Sequence, residues 1–131
     1  MITGKNLHLL ISAVILTIVA LAYGLSPHNI LPGFFDFKVE TVDLKHVFRA
    51  IMGLYAAMVV LWVTGIRNPL YWRAATVSNV CFMIGLASGR ILSLVFDGIP
   101  SFYFLAGLAA EVILALWGIK NLARHRSAPD Q

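Results

Sequence analysis

Four long apolar stretches dominate the chain, and short polar segments separate them. The stretches cover about residues 7–25, 44–66, 71–94 and 101–119. A helix needs about 20 apolar residues to cross a bilayer core of about 30 Å, and each stretch has that length. The pattern therefore predicts an all-α fold: an integral membrane four-helix transmembrane bundle in which residues 1–131 form a single domain.

The connecting segments carry turn-forming residues. Residues 26–43 form the longest connection, and apolar and polar residues alternate from Phe35 to Glu40, which predicts an extended segment with one apolar face. The Asn-Pro pair at 68–69 and the Asp-Gly pair at 97–98 predict the other two turns. Asp43 directly precedes the second stretch and is placed to cap the amino end of a helix.

The first stretch has a competing interpretation. A basic residue, Lys5, precedes it, and Ala20-Leu21-Ala22 resembles the small-residue cleavage site of a secretory signal peptide. The apolar run is nevertheless as long as a true transmembrane span. We therefore interpret it as a retained helix.

The composition supports a membrane protein. Of the 131 residues, 60% are hydrophobic and 12% are charged, and the mean hydropathy is +0.84. Soluble domains are roughly 45–50% apolar and about 25% charged. The net charge of +4 is not arranged as a basic stripe with interleaved aromatic residues, so we do not expect nucleic acid as a partner. Cys81 is the one cysteine, which excludes an internal disulfide.

The basic residues outside the spans concentrate at one predicted end of the bundle. Four crossings place both termini at that end, and the positive-inside rule then places them in the cytoplasm. The tail 120–131 is predicted to be cytoplasmic and the loop 26–43 to be external. The basic residues at the predicted inner end are Lys5, Arg67, Arg73, Lys120, Arg124 and Arg126.

Three charged residues lie inside the predicted spans, where an unpaired charge is costly. Arg49 and Arg90 fall in the outer parts of the second and third spans, and Glu111 lies near the middle of the fourth. Helical phase predicts that all three face the bundle interior. A guanidinium within about 4–6 Å would keep the carboxylate ionised and could bind it in a two-pronged geometry.

Other polar residues complete a predicted ligand-binding set. Asp43, His46 and Asp97 fall at the outer rim, and Asn79 shares a helical stripe with Arg90. The structural alternatives stay open: an arginine that reaches the headgroups, a helix cap at Asp43, and an interhelical hydrogen bond at Asn79. The spacing does not support a metal site, and no cofactor or catalytic motif is present.

These residues favour an outward-facing pocket for an anionic ligand or a lipid headgroup, with Arg49 and Arg90 as the receiving groups. The alternatives are a small oligomeric proton-coupled transporter that uses Glu111 and an accessory subunit of a membrane complex. Enzymatic activity has no identifiable nucleophile to support it. Gly85 and Gly89 form a G-x-x-x-G step, which is typical of close helix packing within or between subunits.

Several segments resemble one family. Residues 41–55, the segment from Gly89 to Ser93, the segment from Asp97 to Ser101, and Glu111 with Gly118 are similar to small bacterial membrane proteins known as domain of unknown function 4345. The resemblance extends from about residue 8 to residue 122. It implies a four-helix protein of the bacterial inner membrane with no assigned activity, and it supplies no catalytic residue.

Overall fold

The computed structural model describes residues 4–125, and these residues form helices and connections without a strand. Four of the helices are long and apolar enough to cross a membrane. The predicted all-α membrane bundle is therefore confirmed. A 3-10 turn at Gly4–Asn6 leads into α1 (Leu7–Gly24), and α2 (Pro27–Ile30), a second 3-10 turn (Leu31–Gly33), α3 (Val42–Arg67), α4 (Pro69–Phe96) and α5 (Phe102–Arg124) follow.

The four long helices pack in chain order. Helix α1 lies against α3, α3 against α4, and α4 against α5, whereas α1 and α5 meet over a much smaller area. The two ends of the described chain are adjacent, because the side-chain amide of Asn121 donates a hydrogen bond to the carbonyl of Lys5 at 3.3 Å. Helix α5 continues through Arg124, and residues 126–131 of the predicted tail lie outside the described residues.

The turns follow the predicted signals. Asn68 ends α3, and its side chain accepts a hydrogen bond from the amide of Leu70 at 3.0 Å, which caps α4. Gly98 has a φ of 102° in the turn after α4, a conformation that favours glycine. The expected cap at Asp43 is wrong. Helix α3 begins earlier because the hydroxyl of Thr41 accepts from the amide of Leu44 at 3.2 Å.

The loop between α1 and α3 folds over the end of the bundle opposite Lys5 and Asn121. From residue 35 to residue 40 the burial alternates, with Val39 fully buried and its charged neighbours exposed. The ring of Phe35 stacks on Phe104 of α5 at a centroid distance of 4.4 Å. The predicted single apolar face is therefore present, and it packs against the helices at this end.

Each long helix buries one stripe and exposes the rest of its apolar surface, as expected where lipid surrounds the protein. Two glycines allow close approach: Gly24 of α1 contacts Met52 of α3, and Gly65 of α3 lies against Ala75 of α4. Cys81 is exposed on α4. The buried apolar residues of the long helices are Leu9, Ala13, Leu16, Ala20, Tyr23, Tyr55, Trp62, Trp72, Ala75, Val80, Met83, Ala87, Leu114 and Ala115.

Candidate functional site

An ion pair joins α4 to α5 inside the bundle. The Nε atom of Arg90 donates to Oε1 of Glu111 at 2.9 Å and to Oε2 at 3.0 Å. The arginine side chain is 23% exposed and the glutamate side chain 9% exposed. One nitrogen serves both carboxylate oxygens, so the expected two-pronged geometry is not formed. The pairing of the deep carboxylate with an arginine is present as predicted.

The pair lies in the half of the bundle that contains the loop 26–43. Arg90 is six residues from the end of α4, or about 9 Å, and Glu111 is nine residues from the start of α5, or about 14 Å. The backbone of Arg90 therefore lies nearer this end of the bundle than the backbone of Glu111 does, and the two side chains span the difference.

Aromatic side chains surround the guanidinium. The Cζ atom of Arg90 lies 5.2 Å from the ring centroid of Phe104, which is a cation–π distance. Tyr23 and Tyr55 line the same cavities as Arg90. The sequence pattern did not identify these three residues as part of the site, because aromatic residues are common in any buried core.

A glycine on α5 provides space for the arginine. A Cβ atom at Gly107 would lie 3.6 Å from Nη2 of Arg90. A Cβ atom alone would make an ordinary contact, and only a side chain that extends further would press on the guanidinium.

Two cavities meet at Arg90. The α1–α5 cavity has a volume of about 320 Å³ and lies along the narrow contact between those helices. The α3–α5 cavity has a volume of about 500 Å³ and lies over α4 between those helices. Most of the lining residues are apolar or aromatic. Within residues 4–125, Arg90 and Glu111 are the charged residues that line the first cavity, and Arg90 alone is charged in the second.

Arg49 does not join this site. Its side chain is exposed, lines neither cavity, and donates from Nε to the carbonyl of Gly24 at 3.4 Å. Carbonyl groups in the last turn of a helix lack an intrahelical partner, so Arg49 caps α1 instead. The expected convergence of three charged side chains is correct for Arg90 and Glu111 and wrong for Arg49.

The other predicted site residues are also separate from the pair. Asp43 and His46 are exposed on α3, and Asp97 accepts a hydrogen bond from the hydroxyl of Ser93 at 2.8 Å. Asn79 is fully buried, eleven residues from Arg90 on α4 and thus about 16 Å away. Its amide makes no hydrogen bond with the described residues, so the expected interhelical bond is not formed.

The family model described as "Domain of unknown function (DUF4345)" matches residues 5–120. This range covers all four membrane-spanning helices almost completely and includes both members of the ion pair. No curated protein and no solved structure matches the chain.

Proposed function

We propose that this chain, which belongs to the DUF4345 family, binds an amphipathic anion, with the charged head at Arg90 and the hydrocarbon part in the α1–α5 cavity. The observation that carries the proposal is the position of Arg90, where two apolar cavities meet and where Glu111 binds only its Nε atom. A carboxylate or phosphate head suits a guanidinium with further N–H groups.

The head group must provide the specificity. Lipid tails are as apolar as the cavity walls, so moving a hydrocarbon chain from the bilayer into the cavity changes the free energy little. A charge-assisted hydrogen bond contributes about 1.5–3 kcal/mol, which is about ten- to hundredfold in affinity. We therefore expect the protein to distinguish amphiphiles by their heads.

Binding of an anion should be coupled to binding of a proton. The side chains of Arg90 and Glu111 carry no net charge as a pair, so an added anion would leave one negative charge inside the membrane. Protonation of Glu111 removes that charge and releases the guanidinium for the ligand. The affinity for an anion should therefore rise as the pH falls.

The experiment compares hexadecanesulfonate, whose head stays charged, with palmityl alcohol, which has the same chain length and no charge. Each is titrated into purified protein in nanodiscs, and binding is measured at mildly acidic and mildly alkaline pH. We expect the sulfonate to bind more tightly at acidic pH. The Glu111→Gln variant should bind the sulfonate equally well at both pH values, because its side chain is always neutral.

The variants separate a binding role from a structural one. The double variant Arg90→Gln/Glu111→Gln leaves no unpaired charge and should lose at least tenfold in hexadecanesulfonate affinity. Arg49→Gln removes an arginine that lines neither cavity and should bind like the unmodified chain. Equal hexadecanesulfonate binding by the double variant and the unmodified chain would contradict the proposal.

Proton-coupled transport is a second candidate, and the depth of Glu111 supports it. The carboxylate lies inside a membrane span beside a cavity, where a carrier exchanges a proton for its substrate. Octanesulfonate stays charged and crosses lipid slowly, so it can serve as the probe in vesicles that contain a pH-sensitive dye. Uptake with unchanged proton movement in Glu111→Gln would exclude this candidate.

The orientation belongs to the same proposal. We place the helix ends that carry Lys5 and Asn121 in the cytoplasm and the loop 26–43 outside, in the plasma membrane. The excess of basic residues at the first end supports this orientation. Arg90 would then receive its ligand from the outer leaflet, and membrane lipids would be the nearest source of amphiphiles.

A further inference from the structure

The other half of the bundle contains a second group of buried polar side chains. His8 and Ser12 lie one turn apart on α1, and Asn79 lies on α4; all three are 0% exposed. Among residues 4–125, none of the three makes a hydrogen bond with Arg90 or Glu111, which bind each other. They face the core between apolar residues, where a polar side chain is unusual.

One ring nitrogen of His8 has a hydrogen-bond partner and the other does not. The amide nitrogen of Asn121 lies 2.9 Å from Nδ1 of His8 and 3.3 Å from the carbonyl of Lys5. Which ring nitrogen carries the proton depends on the tautomer. In either tautomer, Nε2 makes no hydrogen bond with the described residues.

Four polar atoms of these side chains are unpartnered among residues 4–125: Nε2 of His8, Oγ of Ser12, and both Nδ2 and Oδ1 of Asn79. The membrane interior has no bulk water to bind them, and each unsatisfied group there costs several kcal/mol. A native protein does not normally leave such a group without a partner. The atoms therefore indicate a bound molecule.

Two of the side chains converge at one place. Gly118 of α5 lacks a side chain, and a Cβ atom there would lie 3.6 Å from Cδ2 of His8, 3.8 Å from Oδ1 of Asn79 and 2.5 Å from Cγ2 of Val80. Cδ2 is bonded to Nε2, so two of the unpartnered atoms lie on either side of the close contact between Gly118 and Val80. Ser12 continues this row outward, because it lines the α1–α5 cavity together with Met83 and Glu111.

The chemistry of the four atoms favours water over a cation. Nδ2 of Asn79 is a donor, Oδ1 is an acceptor, the hydroxyl of Ser12 is both, and Nε2 of His8 donates or accepts according to the tautomer. A metal ion would meet the N–H group of Asn79, which repels it. Within residues 4–125, no group of three or more His, Cys, Asp or Glu residues is arranged to hold a metal. Water donates and accepts, and typically makes about three hydrogen bonds at buried sites.

We propose that His8, Ser12 and Asn79 bind a row of water molecules that leads from the inner half of the bundle to the α1–α5 cavity beside Glu111. The row satisfies the four unpartnered atoms and runs from His8, in the first turn of α1, toward the carboxylate. Ser12 also lines the α1–α5 cavity, but His8 and Asn79 line neither cavity and the ligand here is water, so the inference does not depend on amphiphile binding.

The experiment is hydroxyl-radical labelling by X-ray pulses, in which bound water generates the radical beside the residue that it oxidises. Met83 is 4% exposed and lies one turn from Asn79. We expect Met83 to be oxidised readily in the unmodified chain and severalfold more slowly in Asn79→Leu, which keeps the size of the side chain but binds no water. Met58 of α3 serves as the internal control, with a rate that does not change.

The melting temperature of Asn79→Leu is a second measurement. It rises if no water is bound beside Asn79 and falls if water is bound there. If the amide of Asn79 is dry, leucine removes an unsatisfied group and raises the melting temperature. If water is bound, leucine also removes the partner of His8 and lowers it. A higher melting temperature, or oxidation of Met83 that is the same in both proteins, would overturn the proposal. Ser12→Ala should show the same effects to a smaller degree if Asn79→Leu does not fold.

Discussion

At the scale of single residues, Arg90 and Glu111 are the pair in which the loss of one partner should lower the free energy of unfolding most. Both lie inside a membrane span, and each depends on the other to offset the loss of hydration. Such a pair does not have to stabilise the fold relative to apolar residues. It does make any change to only one partner expensive, because an unpaired charge then remains in the membrane.

We predict that Glu111→Leu and Arg90→Met each lower the free energy of unfolding by about 3–5 kcal/mol, the cost of breaking a buried ion pair. The double variant should recover most of this loss, since neither charge remains. The measurement is a double-mutant cycle of unfolding in mixed micelles. Arg49→Met is the control and should have a small effect, because Arg49 is exposed. Additive losses in the double variant would show that the two side chains act independently.

A close contact between two helices depends on Gly118. A Cβ atom at this position would lie 2.5 Å from Cγ2 of Val80 on α4, which is shorter than any ordinary contact. By comparison, Gly85 of α4 has nothing within 4 Å of such an atom. The packing of α5 on α4 therefore requires glycine at the first position, whereas the second lies beside a cavity.

We predict that Gly118→Ala lowers the free energy of unfolding by about 1–3 kcal/mol, as overpacking does in other cores. The variant Gly118→Ala/Val80→Ala should be more stable than the single variant, because the smaller residue on α4 removes the clash. Gly85→Ala should change the stability little. Thermal unfolding of the four proteins checks these outcomes, and equal effects at the two glycines would contradict the packing described here.

The helices and turns could be predicted because they depend on local sequence. Apolar length defines a membrane helix, and the residues at 68–69 and 97–98 break one wherever they occur. Helical phase shows which residues of one helix share a face, but not how that helix is rotated in the bundle. Arg49 therefore seemed to face inward with Arg90, whereas its stripe on α3 is exposed.

The remaining differences also depend on tertiary packing. Helix α3 starts at Val42 because the side chain of Thr41 caps its amino end. From sequence alone, Asp43 was an equally suitable capping residue. Asn79 is buried and has no hydrogen-bond partner among residues 4–125, and no local pattern distinguishes that from an interhelical hydrogen bond. Tyr23 and Phe104 reach Arg90 only because α1 and α5 both lie next to α4 in the folded bundle.

At the scale of the whole molecule, the arrangement of the helices is open between α1 and α5. The chain-order packing leaves this contact narrow, and a cavity follows it. The ion pair is therefore not enclosed by a complete ring of helices. A lipid-like ligand has a path to Arg90 through the side of the bundle as well as from its outer end.

We predict that both ends of the described chain face the cytoplasm. A green fluorescent protein fused at the carboxyl terminus should fluoresce, since it folds in the cytoplasm, and alkaline phosphatase inserted at Gly98 should be active, since it folds outside. The four spans and the adjacent positions of Lys5 and Asn121 require the two reporters to be on opposite sides. The reverse pattern of activities would contradict the orientation.

The exposed thiol of Cys81 has one more consequence. It lies one and two helical turns from Gly85 and Gly89, so all three positions share an outer stripe of α4. If two copies associate along this stripe, their sulfur atoms face each other across the shared axis, and a mild oxidant would join the chains covalently without any engineered residue. Copies that associate elsewhere, or not at all, would remain single bands on a non-reducing gel.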